Sequence, residues 1–148
     1  MEKKLIRICL AEDNSADVWL IEEALRRRGL TFEIENFTTA PDAIAAVLKY
    51  GNPGMPVPDL MLLDYNLPGG HGGQILAFAA QNPHLSGIPK AVVTSFLQPS
   101  EVAAAMEMGA SCVIQKPAGL NEFMAEVGGK VNALLEGRLT TGDFQNRP

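Results

Sequence analysis

The chain has 148 residues, a length that suits one domain. At 47% hydrophobic and a mean hydropathy of +0.06 it can bury a core, which argues against a disordered chain. The net charge of −5, a pI of about 5.0 and the lack of a basic stripe argue against nucleic-acid binding.

Apolar strand-like runs alternate with helical patterns five times. The first run, 5–11, leads into the acidic pair Glu12-Asp13. Asn14 or Ser15 then supplies the cap of a helix that ends at Gly29. Its stripe is Leu20, Ile21, Ala24 and Leu25, and at about 100° per residue Val18 and Trp19 cannot both share it. Trp19 is expected along the edge of the core; the alternative is an exposed docking patch. Arg26-Arg27-Arg28 closes this helix, where cations favour the helix dipole. The run 32–37 alternates as Phe32-Glu33-Ile34-Glu35 and reads as an edge strand. Pro41 suits the first turn of a second helix, with Ile44, Val47 and Leu48 at helical spacing. Tyr50 to Pro58, with three prolines and two glycines, is a loop by composition.

The run 59–64 ends at Asp64, and Asn66-Leu67-Pro68 follows it. Pro68 to Gly73, with four glycines around His71, reads as a loop before a third helix from Gly73 to Gln81. The run 89–95 ends at Thr94-Ser95. A fourth helix runs from Ser100 to Met108 and stops at Gly109, with Met106 and Met108 as packing residues. The run 111–115 ends at Lys116-Pro117. A fifth helix, about Leu120 to Leu135, carries the stripe Leu120, Phe123, Val127, Val131 and Leu134. Gly128 and Gly129 weaken it, each by up to about 1 kcal/mol relative to alanine.

This is a (βα)5 pattern, an α/β domain with a doubly wound parallel sheet, over 1–136. Nearly continuous apolar strands suit a sheet covered on both faces. Residues 137–148 are expected to be a flexible polar tail, with no room for an effector domain within the 148 residues. The two cysteines lie in apolar strands and read as buried thiols of a reducing cytoplasm. No signal peptide and no run of membrane-spanning length is visible, so the expected location is cytoplasmic.

In an open parallel sheet, ligands bind outside the carboxyl ends of the strands. Four runs place functional groups there: Glu12-Asp13, Asp64, Thr94-Ser95 and Lys116. Clustered carboxylates repel one another, and a hard divalent cation with oxygen ligands relieves the repulsion. Asp13, Asp64 and a carbonyl just past Asp64 make such a half-site for Mg²⁺. A carboxylate there can attack a phosphoryl group. Lys116 would neutralise phosphoryl oxygens, and Thr94 would donate a hydrogen bond to one. Ser95 reads as a small residue that leaves access to the pocket. His71 and His84 lack partners at metal spacing.

Ala11-Glu12-Asp13-Asn14, Leu63-Asp64-Tyr65-Asn66-Leu67-Pro68 with Gly72, Val93-Thr94-Ser95, and Gly109-Ala110 leading to Lys116-Pro117 together resemble the receiver domains of two-component response regulators. The resemblance covers roughly residues 5–135. It implies a flavodoxin-like strand order 2-1-3-4-5, with Asp64 as phosphoacceptor. It implies Mg²⁺ (or Mn²⁺) held by Glu12, Asp13, Asp64 and the Asn66 backbone carbonyl, with Thr94 and Lys116 on the phosphoryl group. It also implies a cis peptide at Lys116-Pro117. The implied partners are a histidine kinase or histidine phosphotransfer protein and an unknown downstream protein. No nucleic acid and no membrane is expected as a partner, and the domain is expected as a monomer or weak homodimer. The long loop before Asp59, the Asn66-Leu67-Pro68 turn and Asn82-Pro83-His84-Leu85 further resemble single-domain receivers that partner bacterial phytochrome kinases.

One position departs from the family. Receivers usually carry an aromatic residue three positions before the lysine, and here it is Val113, which has one dominant rotamer and little reach. Two rival readings stand beside the receiver. A haloacid-dehalogenase-like phosphatase also uses a strand-end Asp, Ser/Thr, Lys and Mg²⁺, but with its nucleophile on an early strand and a second Asp two residues on; here that residue is Asn66. A phosphorylation-independent adaptor is the other.

Overall fold

The computed structural model describes residues 4–95 and 98–137. The chain alternates β1 (Leu5–Ala11), α1 (Ser15–Arg27), β2 (Thr31–Phe37), α2 (Ala40–Lys49), β3 (Leu60–Leu63), α3 (Gly72–Ala80), β4 (Lys90–Thr94), α4 (Pro99–Glu107), β5 (Cys112–Gln115) and α5 (Leu120–Leu135). The five strands pair in parallel in the order 2-1-3-4-5, the flavodoxin-like order. Beyond Gly137, the expected tail lies outside the described residues.

Side chains alternate across a strand, and here both faces are buried. Cys9, Ala11, Met61, Leu63 and Val92 pack on one face with residues of α2, α3 and α4. Ile8, Leu10, Leu60, Leu62, Ala91, Val93, Cys112 and Ile114 pack on the other with α1 and α5. Cys9 and Cys112 are therefore buried on opposite sides of the sheet and both are free thiols. Burial pushes the Cys9 thiol up to about 11 and the Cys112 thiol up to about 12. The second strand is an edge strand, as its alternation requires.

Local signals account for most boundaries. Asn14 caps α1, its side chain accepting from the Ala16 and Asp17 amides at 2.9 and 3.2 Å. Thr39 caps α2, and Pro41 lies in its first turn. The glycine-rich segment after Asp64 is more ordered than its composition predicts. Asn66–Leu67 pairs antiparallel with Gly70–His71 around Pro68-Gly69, and Gly69 at φ 80° fits the third position of a type II turn. A 3₁₀ turn, Pro83–Leu85, precedes β4, and Asn82 ties it to α2 by donating to the Val47 and Tyr50 carbonyls at 3.1 and 2.9 Å.

Four expectations need correction. Leu120, expected in the core stripe of α5, is the helix's first residue and is 54% exposed, while Phe123, Val127, Val131 and Leu134 are buried. Trp19 is 54% exposed and not at the core edge. Val18 and Leu20 take the flanks of the Ile21, Ala24, Leu25 stripe, which turns Trp19 outward. Met106 packs on the core, but Met108 follows the last turn of α4 and is exposed. The Lys116–Pro117 peptide is trans.

Gly128 and Gly129 have opposite surroundings although both weaken α5 intrinsically. A Cβ at Gly128 would lie 3.2 Å from the Ala24 carbonyl oxygen of α1, a backbone atom that cannot step aside. At Gly129 it would meet only the tip of the Arg28 side chain, at 3.1 Å. Gly129→Ala is therefore expected to stabilise the domain by up to about 1 kcal/mol. Gly128→Ala should gain less or destabilise, and urea unfolding of both variants separates the two cases.

Candidate functional site

Sheet register brings the strand-end residues together. Ala11 of β1 stands opposite Leu63 of β3, and the Asp64 amide donates to the Ala11 carbonyl at 2.9 Å. The next residues, Glu12 and Asp64, thus leave the sheet side by side. Thr94 of β4 stands opposite Gln115 of β5, and the Lys116 amide donates to the Thr94 carbonyl at 2.7 Å. Lys116 crosses the end of β4 to reach groups on β3, β1 and α1, a span that suits a long flexible side chain.

Its ammonium group donates to Glu12 Oε1 at 2.5 Å, to Asp17 Oδ2 at 2.8 Å and to Asp64 Oδ2 at 3.1 Å. The Lys116 side chain is 6% exposed. Asp64 Oδ1 accepts from the Asn66 amide at 3.2 Å, so both carboxylate oxygens are engaged. Glu12 is buried, with Oε2 accepting from the Asn14 amide at 3.1 Å. The Asn36 side chain donates to the Glu12 carbonyl, and the Glu12 amide donates to Phe37. Glu12 is thus fixed from β2 as well as from Lys116. Asp13 faces solvent and Thr94 is buried.

Burial pushes the Glu12 carboxyl up to about 7, against the hydrogen bond and charge of Lys116 and the Asn14 amide. Burial alone would lower Lys116. Hydrogen bonds to Asp17 and Glu12, with the charges of Glu12 and Asp64, outweigh it and hold the ammonium above the ordinary lysine range.

Carboxylate oxygens of Glu12, Asp13 and Asp64 lie within 4.8 Å of one another. Hard oxygen donors at this spacing, with Asp13 open to solvent, suit a hard divalent cation that keeps several waters. Asn66 enters the site through its amide on Asp64. The loop behind it is tight: a Cβ at Gly72 would come within 2.7 Å of the Asp64 carbonyl oxygen, so a glycine is required there. Next to Asp64, the Tyr65 ring stacks on His71 with centroids 5.0 Å apart. Burial raises the Tyr65 phenol, and the charge of Glu101 in α4 and a hydrogen bond to it add to the effect. A hollow of about 810 Å³ opens beside Lys116, lined by Asp17, Leu20, Pro117, Leu120 and Phe123 among others.

One residue of the site and one buried cation elsewhere escape the sequence reading. Asp17 reads as an ordinary acidic residue in a helix's first turn; its signal is position, one helical turn past Asp13. Lys90 opens an apolar strand yet is buried, its ammonium donating to the Leu85 and Ile88 carbonyls at 2.6 and 2.9 Å. No sequence pattern marks those carbonyls as needing a donor.

The family model described as the response regulator receiver domain matches residues 8–128. Response regulator Rcp1 of Synechocystis sp. is 33% identical over 130 residues, covering 87% of this chain and 88% of that protein. The crystal structure of the phosphorylated cyanobacterial phytochrome response regulator RcpA aligns with a TM-score of 0.81 at 30% identity, covering 90% of this chain and 96% of that one. The Mn²⁺-bound form of Rcp1 aligns at 0.78 and 32% identity, covering 88% and 95%.

Removing Lys116 while keeping its bulk leaves Glu12 buried without its cation. Lys116→Met is expected to cost about 3 kcal/mol at pH 8 in metal-free buffer. Glu12 titrates near 4.5 when unfolded and higher when folded, higher still without Lys116. The folded chain then holds a proton that the unfolded chain releases, so stability falls as pH rises from about 4.5 through 7. The defect should therefore shrink at pH 5, and urea unfolding at the two pH values checks it.

Proposed function

The chain belongs to the response regulator receiver family, and on that premise we propose that Asp64 is the group that accepts the phosphoryl moiety. It acts in two-component signalling. The observation that carries the assignment is the meeting of Asp64, Lys116 and two further acidic side chains at the carboxyl ends of the strands. One Asp64 carboxylate oxygen attacks the phosphorus of a phosphohistidine. A P–O bond forms, the P–N bond breaks, and the departing imidazole nitrogen takes the electron pair. Lys116 gives a positive charge to the phosphoryl oxygens, and the Thr94 hydroxyl donates to one of them. Asp13, Asp64, Glu12 and the Asn66 carbonyl would hold Mg²⁺ or Mn²⁺, which when bound neutralises phosphoryl charge. Asp13, open to solvent, is the direct ligand and Glu12 the assisting one.

The phosphodonor is a histidine kinase or histidine phosphotransfer protein. Similarity to Rcp1 and RcpA across nearly all of the chain supports a phytochrome-type kinase. The hollow beside Lys116 and the exposed Trp19 on α1 supply the docking ground. Residues 1–136 form the receiver unit and act in the cytoplasm as a monomer or weak homodimer, without nucleic-acid affinity. A downstream protein reads the change. The domain performs its own phosphoryl transfer and is no multiple-turnover enzyme.

Val113 stands opposite Val92 and packs on the core beneath α4. It bears on the readout and not on the transfer, since neither Lys116 nor Thr94 depends on an aromatic ring there.

Acetyl phosphate with Mg²⁺ should add one phosphoryl group to the wild type and none to Asp64→Asn, read by intact mass. Continuous phosphate release would instead favour a phosphatase. An adduct-free protein that still binds its kinase would favour an adaptor. Mg²⁺ affinity, followed by calorimetry, should fall strongly in Asp13→Asn and less in Glu12→Gln. Val113→Ala should still form the adduct and keep its phosphorylation-dependent amide shifts over 98–115. Loss of those shifts would make the valine itself a switch element.

A further inference from the structure

A lysine ammonium has three N–H donors, and at Lys116 all three meet carboxylate oxygens. Two of these, on Glu12 and Asp64, belong to the group of carboxylates spaced for a cation. The third, on Asp17, does not. Asp17 sits on the third residue of α1, and its own amide is held by the Asn14 cap at 3.2 Å. An acidic residue in a first turn usually needs no explanation beyond the helix dipole. Of the other first-turn acids, Asp42 of α2 and Glu122 of α5 are exposed, and Glu101 of α4 is half-buried but accepts from the Gln98 amide at its own helix cap, which the helix terminus alone explains. The Asp17 side chain is turned inward, 21% exposed, and makes the second-shortest of the Lys116 contacts. The contact to Asp64, at 3.1 Å, is the longest.

We propose that Asp17 is a positioning residue for phosphoryl transfer. With Glu12 it holds two of the three ammonium protons of Lys116, so that the third is aimed at Asp64. The inference rests on the reading of Asp64 as phosphoacceptor. When the Asp64 oxygen attacks acetyl phosphate, the new P–O bond forms, the bond from phosphorus to the acetate oxygen breaks, and acetate leaves with the electron pair. Lys116 stays protonated and redirects its third N–H from Asp64 Oδ2 to a phosphoryl oxygen, while the other two remain donated to Glu12 and Asp17. Rotation of the ammonium is restrained before the reaction, so little ordering remains to be done during it. Asp17 also makes α1 part of the site, since the helix cap fixes the carboxylate and the carboxylate fixes the lysine.

The test uses the full chain with acetyl phosphate and Mg²⁺, following adduct formation by intact mass. Asp17→Asn keeps the shape and removes the charge; Asp17→Glu keeps the charge. Asp17→Asn should slow adduct formation by about tenfold, the loss of one charge-assisted hydrogen bond, and Asp17→Glu should recover most of it. In unphosphorylated protein, the ¹⁵N–¹H signal of the Lys116 ammonium should exchange with water faster in Asp17→Asn than in wild type. A purely structural Asp17 would lower thermal stability and leave both readouts unmoved. An Asp17→Asn rate within about twofold of wild type, or an unchanged ammonium signal, overturns the proposal. So does an equal slowing by Asp17→Asn in a Lys116→Ala background, because the residue would then act by another route. If the wild type takes no phosphoryl group, the reading of Asp64 falls and this inference falls with it. If the wild type is modified and only the Asp17 comparison fails, the Asp64 reading stands.

Discussion

Everything at the carboxyl end of the sheet depends on one buried ammonium group. Glu12 and Asp64 are both buried and stand side by side because their strands are in register. Two desolvated carboxylates at that spacing repel each other in a medium that screens poorly. Lys116 makes the arrangement tolerable, donating to both and to Asp17. The same lysine comes from the far edge strand, so the charge balance links β1, β3 and β5 across the whole sheet. Burial and pairing act in opposite directions on Lys116, and pairing wins. A group held in this way keeps its positive charge in the folded domain.

The scaffold serves this balance by being stiff on both sides. Alternate residues of each central strand go to separate cores, so a strand cannot slide by one residue without exchanging its two faces. On one side α1 and α5 approach closely enough that Gly128 faces a backbone carbonyl of the neighbouring helix. Asp17 lies at the start of one of these helices and Lys116 just before the other. Their pairing at the mouth and the helix contact farther along are two attachments between the same two elements. On the opposite side, Tyr65, the residue after Asp64, stacks on His71 at the start of α3.

Much of the site was legible because strand ends are easy to find. A polar residue closing an apolar run, four times over, is a strong pattern, and the register that unites Glu12, Asp64, Thr94 and Lys116 follows from parallel pairing. Asp17 was not legible, because helix-start acids are common and only the direction of the side chain distinguishes this one. Lys90 was hidden for a different reason: its partners are carbonyls of a 3₁₀ turn whose existence the sequence does not announce. Glycine-rich composition after Asp64 suggested a loop, yet Pro68-Gly69 forms a turn tight enough to pair its flanks. For Trp19 the helical period allowed two outcomes, and the packing of Val18 and Leu20 decided between them.

The outer strand has a consequence for how copies of this protein treat one another. An edge strand presents unpaired backbone donors and acceptors, and a second copy of the chain is the commonest source of matching ones. On β2 the exposed side of the alternation carries Glu33 and Glu35. Two such edges brought together would set carboxylates against carboxylates, in a chain already at −5. The acidic alternation that first marked this segment as a border strand also disfavours edge-to-edge pairing of two copies through β2.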